Sequence, residues 1–283
     1  MILVTGAQGQ LGSDIVTELQ NRNMPHKGID IAELDITDKA AVCSFIKTNK
    51  PQCVIHCAAY TAVDKAEDEP DLCNKINITG TEYIAEACCE IDAEMIYIST
   101  DYVFDGKGEA PYETGAVKAP IGVYGKSKLA GEEAVVKHLP NKHYIVRISW
   151  TYGKTGNNFV KTMLKLAETK SELNVVSDQV GSPTYTLDLA KTLCDIVLSE
   201  KYGIYHATNE GFCSWADFAA EIMKQSGSNC IINPILSEQY PTKATRPKNS
   251  RLSKKSLDNS GFQRLPSWQD AIKRYFLQGT NAN

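Results

Sequence analysis

A tyrosine and a lysine four residues apart, Tyr124 and Lys128, form the spacing in this sequence with the clearest chemistry. On a helix, residues i and i+4 share a face, so the phenol and the ammonium can point into one pocket. A free tyrosine has a pKa of about 10, and a nearby cation lowers that value toward the range of proton transfer. The same spacing also occurs on solvent-exposed helix faces. Its position along the chain is therefore needed to distinguish a catalytic pair from surface charge.

Thr100 is the second candidate, because it directly follows an apolar strand predicted over 95–99. In an open parallel sheet, ligands bind beyond the carboxyl ends of the strands. A threonine hydroxyl there could hold a substrate carbonyl or a developing alkoxide. Two further segments, 58–64 and 150–153, also follow predicted strands. We therefore expect Thr100, Tyr124 and Lys128 to share one cleft as catalytic residues.

The glycines at positions 6, 9 and 12 join the first predicted strand to the first helix in a G-x-x-G-x-x-G pattern. Glycine permits a tight turn and close backbone approach to a pyrophosphate. The helix N-terminus adds free N–H groups and the positive end of the helix dipole. A structural turn is the alternative, but the strand before and the βαβ pattern after favour a nucleotide site. The cofactor-binding candidates in this loop are Gly6, Gly9, Gln10, Leu11 and Gly12.

Asp30 lies 24 residues after Gly6, near the end of the proposed second strand. An acidic residue at that place can accept hydrogen bonds from an adenosine ribose, which favours NAD over NADP. It can also be a turn carboxylate, and Arg22 and Lys27 are close enough in sequence to help hold a 2′-phosphate. The cofactor is therefore predicted as NADH or NADPH, with NADH slightly favoured.

Strands and helices alternate through the first half of the chain, which predicts a parallel sheet with helices on both faces. The fold class is α/β: a Rossmann-type doubly wound sheet with a smaller mixed α/β C-terminal substrate region. We expect residues 1–150 to form the dinucleotide-binding domain and 151–283 the substrate region, although a strand near 203–207 could return to the main sheet. The tail 279–283 is expected to fray. The predicted elements are strands at 2–5, 28–30, 54–57, 95–99 and 144–148, and helices at 10–22, 38–49, 72–91, 122–138, 159–167, 187–198 and 215–224.

Composition excludes several classes of protein. The 283 residues are 42% hydrophobic and 23% charged, unlike a wholly disordered chain. A net charge of −4 argues against a nucleic-acid partner. No long apolar run or secretory signal is apparent, which predicts no membrane partner and a cytoplasmic location. Nine cysteines without a C-x-x-C pair fit reduced, buried thiols in that compartment.

The motifs together resemble those of the extended short-chain dehydrogenase/reductases. The resemblance runs in order across almost the whole chain, which makes it far more specific than any one motif. Its closest parallel lies with reductases of nucleotide-linked keto sugars. The segments that carry it, beside the glycine loop, are 58–67, 99–106, 123–132, 156–159, 178–184 and 246–252.

The resemblance implies a role for each matched position. Gly9, Gln10 and Leu11 would contact the cofactor diphosphate, and Asp30 the adenosine ribose. Lys128 would also bind the nicotinamide ribose. The remaining positions are Asp35 and Ile36 by the adenine; Ala58, Ala59, Tyr60 and Thr61 along the cofactor channel; Thr100, Asp101 and Trp150 facing the sugar; and Asn158, Gln179 and Arg246 at the nucleotide end of the substrate.

The implied reaction is NAD(P)H-dependent reduction of the 4-keto group of dTDP-4-dehydro-L-rhamnose, a nucleotide-sugar substrate, to dTDP-L-rhamnose. Tyr124 would protonate the oxygen, Lys128 would tune Tyr124, and Thr100 would polarise the carbonyl. Two other functions stay open: a non-catalytic regulatory subunit on the same fold, and another nucleotide-sugar epimerase or dehydratase.

Some relatives implied by the resemblance dimerise around a metal held by acidic residues. The matching positions here are Asp14 and Leu187, and a leucine offers no oxygen ligand. We therefore expect no metal, and a monomer or weak dimer.

Overall fold

The computed structural model describes residues 1–280 of the 283. Strands and helices alternate through the first half, as the sequence predicts. The strands are β1 (Ile2–Thr5), β2 (His26–Ile29), β3 (Cys53–His56), β4 (Glu94–Thr100), β5 (His143–Ile148), β6 (Thr151–Tyr152), β7 (Glu172–Val176), β8 (Val180–Gly181), β9 (Thr184–Tyr185), β10 (Gly203–His206), β11 (Asn209–Glu210), β12 (Cys213–Ser214), β13 (Ile231–Ile235), β14 (Asn249–Ser250) and β15 (Leu265–Ser267). The helices are α1 (Gln10–Asn21), α2 (Lys39–Asn49), α3 (Val63–Ala66), α4 (Pro70–Asn74), α5 (Thr81–Glu90), α6 (Val123–His138), α7 (Phe159–Ala167), α8 (Thr186–Val197), α9 (Trp215–Ser226), α10 (Lys255–Asn259) and α11 (Trp268–Thr280).

The central sheet has six strands in the order β2-β1-β3-β4-β5-β10, and every neighbouring pair is parallel. The strand order reverses at β1, because β2 lies on one side of it and β3 on the other. A reversal of this kind creates a crevice at the carboxyl ends of the strands, where α/β sheets bind ligands. The predicted Rossmann-type doubly wound fold is confirmed.

Successive residues of the central strands pack into different cores, which explains why these strands are apolar throughout. Val4 and Ile55 belong to one core, which includes residues of α1 and α8. Leu3 and Val54 belong to another, which includes residues of α2 and α5. All four side chains are fully buried. Helices therefore cover both faces of the sheet.

Short polar side chains fix where several helices begin. The Asp38 carboxylate accepts a hydrogen bond from the Ala41 amide at the start of α2. Asn158 caps α7 in the same way. Ser214 and Asp217 form a reciprocal capping box at α9. These caps satisfy backbone donors that the first turn of a helix leaves free.

The second half of the chain has a core of its own, built from α7, α9, α11 and β7. Small sheets surround it: β13 with β7, β12-β8-β14, β6 with β9, and β11 with β15. Two later elements, α8 and β10, pack with the first half instead. The division of the chain at residue 150 stays a prediction.

The structure differs from the predicted elements at residues 72–91 and at the C-terminal end of the described chain. The helix expected over 72–91 consists of α4, a π-helical segment (Lys75–Gly80) and α5. Within that segment, the side-chain amide of Asn77 bonds to the Tyr60 backbone. It accepts a hydrogen bond from the Tyr60 N–H and donates one to the Tyr60 carbonyl. The C-terminal helix α11 was not predicted. It extends to Thr280, and the remainder of the tail expected to fray, 281–283, lies outside the described residues.

Candidate active site

A cleft of about 1010 Å³ opens at the carboxyl ends of the central strands. The loops after β1 to β5 and the first turns of α6 form its walls. Most of the residues indicated by the sequence line it: Gly6, Gly9, Gln10, Leu11, Gly12, Asp30, Asp35, Ile36, Ala58, Ala59, Thr61, Thr100, Asp101, Tyr124, Lys128, Trp150 and Arg246.

The glycine loop has little room for side chains. Gly6 adopts a φ of +64°, and a Cβ there would lie 2.8 Å from the Ala58 nitrogen. A Cβ on Gly12 would lie 2.1 Å from the Gly6 oxygen. Helix α1 begins directly after this loop, with no acidic residue in its first turn. An anion can therefore approach the N-terminus of α1, where the first turn of a helix leaves backbone N–H groups free, which fits a diphosphate.

Asp30 lies at the end of β2 and supports the glycine loop. Its carboxylate accepts hydrogen bonds from the Gln8 amide at 3.0 Å and the Ile31 amide at 2.9 Å. Arg22 and Lys27, suggested as holders of a 2′-phosphate, are engaged elsewhere. Arg22 pairs with Glu18 and Asp195 on α1 and α8, and the Lys27 ammonium donates to Asn49. Neither lines the cleft, so that suggestion was wrong.

Asp35 and Ile36 form the cleft wall beyond Asp30. The Asp35 carboxylate accepts hydrogen bonds from the amide and hydroxyl of Thr37, and these bonds lower its pKa. Ile36 is buried against the π-helical segment, where a Cβ on Gly80 would lie 2.9 Å from it. The wall therefore offers an apolar surface beside a fixed carboxylate.

Thr100 and Tyr124 meet at the opposite end of the cleft. Thr100 is the last residue of β4, and its hydroxyl donates to Asp101 at 2.9 Å and accepts from the Tyr102 amide at 3.2 Å. The Tyr124 phenol faces the same hydroxyl, which offsets part of the rise that burial causes in the Tyr124 pKa. The Tyr102 ring packs edge-on to that of Tyr124, with centroids 5.5 Å apart. Tyr124 is therefore held on two sides.

Helix α6 brings Lys128 to the same wall, one turn after Tyr124. The start of this helix is fixed by Glu67, whose carboxylate accepts a hydrogen bond from the Val123 amide at 2.9 Å. The lysine side chain is only 3% exposed. Sequence reasoning did not identify Glu67, because the contact joins residues far apart in the chain.

Burial has the largest effect on the pKa of three titratable side chains at this end of the cleft, Lys128, Asp101 and Tyr124. It lowers the pKa of Lys128 to about 7, against the opposing effect of Glu132. It raises the pKa of Asp101 to about 6. It also raises the pKa of Tyr124, whereas the sequence argument expected Lys128 to lower it. Burial therefore opposes the expected lowering, and Tyr124 keeps its proton at neutral pH.

Aromatic rings form the wall where the cleft meets the second half of the chain. Trp150 has a φ of +49° and stacks on Trp215, with ring centroids 3.7 Å apart. Phe159 packs against Trp215 at 4.5 Å. Trp215 and Phe159 also line the cleft, although sequence reasoning did not select them. Phe159 ends the 156–159 segment without a role assigned to it, and Trp215 belongs to no motif, because each follows a helix cap and resembles an ordinary core residue.

A second cavity of about 880 Å³ adjoins the cleft and shares Phe159, Trp215 and Arg246 with it. Gln179, which is 7% exposed, and the apolar side chains of β7 line this second cavity. Arg246 stands at the junction. Its guanidinium donates to Asp64 at 2.7 Å, and its buried Nε has no hydrogen-bond partner among the described residues.

Three predicted site residues lie outside the lining of the main cleft. Tyr60 turns its phenol to Glu69, to which it donates at 2.7 Å. Asn158 caps α7 and donates to the side chain of Gln10 at 3.0 Å, so it contacts a cleft residue. Gln179 belongs to the second cavity.

Among the residues that the structure describes, no three His, Cys, Asp or Glu side chains are grouped to hold a metal ion. Asp14, one of the two positions considered for a shared metal, has a pKa raised by burial. No helix within residues 1–280 is long and apolar enough to cross a membrane. The predicted monomer or weak dimer stays a prediction.

Comparison with known proteins gives the family. Residues 1–280 match the family described as the RmlD substrate binding domain. The chain is 42% identical over 281 residues to the spore coat polysaccharide biosynthesis protein SpsK of Bacillus subtilis (strain 168), covering 99% of this chain and 98% of the relative.

Two solved structures are similar to this chain over almost its whole length. A dTDP-4-dehydrorhamnose reductase from Clostridium acetobutylicum ATCC 824 matches with a TM-score of 0.96 and 44% identity, covering 99% of each chain. The dTDP-4-dehydrorhamnose reductase from Bacillus anthracis str. Ames in complex with NADP matches with a TM-score of 0.95 and 42% identity, covering 98% of each chain. The resemblance inferred from the motifs is confirmed. The chain therefore belongs to the dTDP-4-dehydrorhamnose reductase family, whose family model is described as the RmlD substrate binding domain.

Proposed function

We propose that this chain reduces the 4-keto group of dTDP-4-dehydro-L-rhamnose to dTDP-L-rhamnose with NADH or NADPH. One observation carries the proposal: Thr100, Tyr124 and Lys128 converge on one wall of the cleft that begins at the glycine loop. Family membership supplies the substrate, since several relatives bear the name of this reductase.

The cleft suits a dinucleotide along its whole length. The backbone of Gly9, Gln10 and Leu11 would bind the diphosphate at the start of α1. Asp30 would accept hydrogen bonds from the adenosine ribose, and Asp35 and Ile36 would flank the adenine. Beyond the diphosphate, the channel wall would consist of Ala58, Ala59 and Thr61, with the Tyr60 backbone held by Asn77.

The choice between NADH and NADPH rests on the surroundings of Asp30. A carboxylate repels a 2′-phosphate and accepts hydrogen bonds from a 2′-hydroxyl. Arg22 and Lys27, the nearby cations, are paired away from the cleft. Both observations favour NADH, while the relative in complex with NADP supports use of the phosphorylated cofactor as well.

A nicotinamide cofactor bound here supplies a hydride. The chain's own groups manage the charge and the proton at the ketone oxygen. Tyr124 holds a proton at neutral pH, since a free tyrosine has a pKa of about 10 and burial raises that value further, so its phenol can donate the proton to the oxygen. The Thr100 hydroxyl, which lines the same wall of the cleft, would polarise the same carbonyl.

Lys128 would interact with both Tyr124 and the cofactor. Its buried ammonium stabilises the phenolate that Tyr124 becomes after donation, because an opposite charge nearby favours the ionised form. The same ammonium would bind the nicotinamide ribose. Asp101, which accepts a hydrogen bond from Thr100, would orient that hydroxyl and face the sugar.

The substrate would extend from the reacting sugar into the second cavity. Trp150 would face the sugar, and Arg246 at the junction would bind the diphosphate, because its guanidinium is a charged, planar fork. The nucleoside end would occupy the cavity lined by Gln179 and the apolar side chains of β7. Asn158 would contribute through Gln10.

The direct test mixes purified protein with dTDP-4-dehydro-L-rhamnose and follows absorbance loss from NADH and NADPH in separate reactions. We expect oxidation of both cofactors, faster with NADH. No oxidation with intact cofactor binding would favour the regulatory-subunit function. Tightly retained NAD that never exchanges would favour an epimerase or dehydratase.

A further inference from the structure

The Lys128 ammonium lies over an aromatic ring. Its Nζ is 4.0 Å from the centroid of the Tyr97 ring, within the range of a cation–π contact. Both residues are buried, Lys128 at 3% exposure and Tyr97 at 0%. Within the described residues, no oxygen accepts a hydrogen bond from this ammonium. The ring is therefore its direct partner in the ligand-free protein.

Tyr97 also contacts the backbone of the same lysine. Its hydroxyl donates to the Lys128 carbonyl at 3.4 Å. Gly131, one turn nearer the end of α6, makes this possible, because a Cβ there would lie 2.2 Å from the Tyr97 hydroxyl oxygen. The tyrosine thus contacts Lys128 at its carbonyl and at its charged end.

Every other titratable group near Lys128 is neutral or already paired. From its own helix, Glu132 is bound by the Arg147 guanidinium at 2.8 and 2.7 Å and by the Ser99 hydroxyl. Burial raises the pKa of Tyr124 and Cys73, and that of Cys57 to about 12, so all three keep their protons.

His56, on the neighbouring strand β3, does not compete as a second cation. Its ring stacks near that of Tyr97, with centroids 6.0 Å apart, and contacts the hydroxyls of Thr5 and Thr81. Burial and the Lys128 charge lower the pKa of His56 to about 3. The histidine is therefore neutral at working pH.

We propose that Tyr97 is a positioning residue whose ring face holds the Lys128 ammonium beside Tyr124 and helps to keep it charged. The role of Lys128 in catalysis rests on the proposed function above. A buried lysine loses its proton readily, because desolvation penalises the charged form. The negative face of the ring offsets part of that penalty without adding a carboxylate that would neutralise the site.

The test reduces the negative charge on the face of the ring at position 97 without changing the shape of the ring. The reference is Tyr97→Phe, which keeps the ring and removes the hydroxyl. Phenylalanines bearing one and then three ring fluorines are next placed at position 97, since fluorine withdraws charge from the face. The same series at Tyr144, a fully buried tyrosine of β5 that packs against Tyr202, is the control for fluorination of a core ring.

The first readout is independent of activity. Lysines labelled with ¹³C at Cε are titrated by NMR in the cofactor-free protein, and Lys128→Arg identifies the Lys128 signal by its loss. We expect the Lys128 titration to move to lower pH with each added fluorine, by about one pH unit for the trifluorinated ring. The Tyr144 series should not move it.

The second readout is the pH profile of kcat. Activity needs the charged lysine, so its alkaline limb should shift downward in step with the NMR titration. An unchanged Lys128 titration across folded position-97 variants would overturn the inference. Full activity of Lys128→Arg and Lys128→Met would instead refute the lysine's catalytic role, while the NMR result would still decide what Tyr97 does.

Discussion

Gly6 and Ala58 approach so closely that a Cβ on Gly6 would lie 2.8 Å from the Ala58 backbone nitrogen. The contact joins the loops after β1 and β3, the two strands between which the sheet reverses its order. Because both partners are backbone, neither can move aside cheaply. The close approach therefore explains a glycine at the position where the cleft begins.

Gly6→Ala should disrupt the glycine loop. A φ of +64° disfavours any side chain, and the clash with Ala58 adds to that cost. We expect the Kd for NADH to rise about tenfold or more, equivalent to ~1.4 kcal/mol. Fluorescence titration measures it. The control is Gly115→Ala, where a Cβ meets open space, and an equal loss of affinity in that variant would contradict the explanation.

Tyr124→Phe should abolish most turnover and leave cofactor binding intact. The variant keeps the ring that packs on Tyr102 but removes the proton, and loss of a general acid lowers rates by roughly 10²–10⁴-fold. Steady-state kcat and the cofactor Kd are measured side by side. Tyr83→Phe on α5 serves as the matched control. Near-normal kcat in the Tyr124 variant would remove this residue as the proton donor.

Lys128→Ala should weaken cofactor binding and lower kcat together, because the ammonium has two proposed roles. Since burial lowers the pKa of Lys128 to about 7, its charge is lost as pH rises through that value. The kcat/KM of the unaltered chain should therefore fall on the alkaline side of about pH 7. Lys126→Ala changes an exposed lysine of the same helix and should alter neither quantity. If Lys128→Ala behaves like Lys126→Ala, the lysine does not belong to the site.

Arg246→Lys should raise the KM for the nucleotide sugar by roughly tenfold with a smaller change in kcat, because a lysine cannot present two parallel donors to a diphosphate. The residue lies at the junction of the two cavities. Arg264→Lys alters an exposed ion pair with Asp258 and provides the control. A large loss of kcat at unchanged KM would place Arg246 at the reacting sugar instead.

Local patterns made much of the fold predictable. A continuous apolar run gave the exact bounds of β1, and helical periodicity gave those of α7, Phe159–Ala167. Tyr124 and Lys128 could be found for the same reason, since one helical turn fixes their spacing. The glycine loop was predictable because its conformation requires a residue without a side chain.

Contacts between distant parts of the chain could not be predicted in this way. Arg22 is near Asp30 in sequence, but Asp195 on α8 draws it away from the cleft. Trp215 reaches the cleft only because α9 packs beside Phe159 and Trp150. The pKa of Tyr124 also depends on burial by the folded chain, which a local pattern of residues does not show.

Hydride transfer to C4 of the sugar defines the proposed reaction, and an isotope locates that transfer directly. The protein is incubated with dTDP-4-dehydro-L-rhamnose and a reduced nicotinamide cofactor that carries deuterium at its reactive carbon. NMR and mass spectrometry then analyse the sugar. We predict dTDP-L-rhamnose with one deuterium at C4 and none elsewhere. Unreduced sugar, or deuterium at another carbon, would contradict the account.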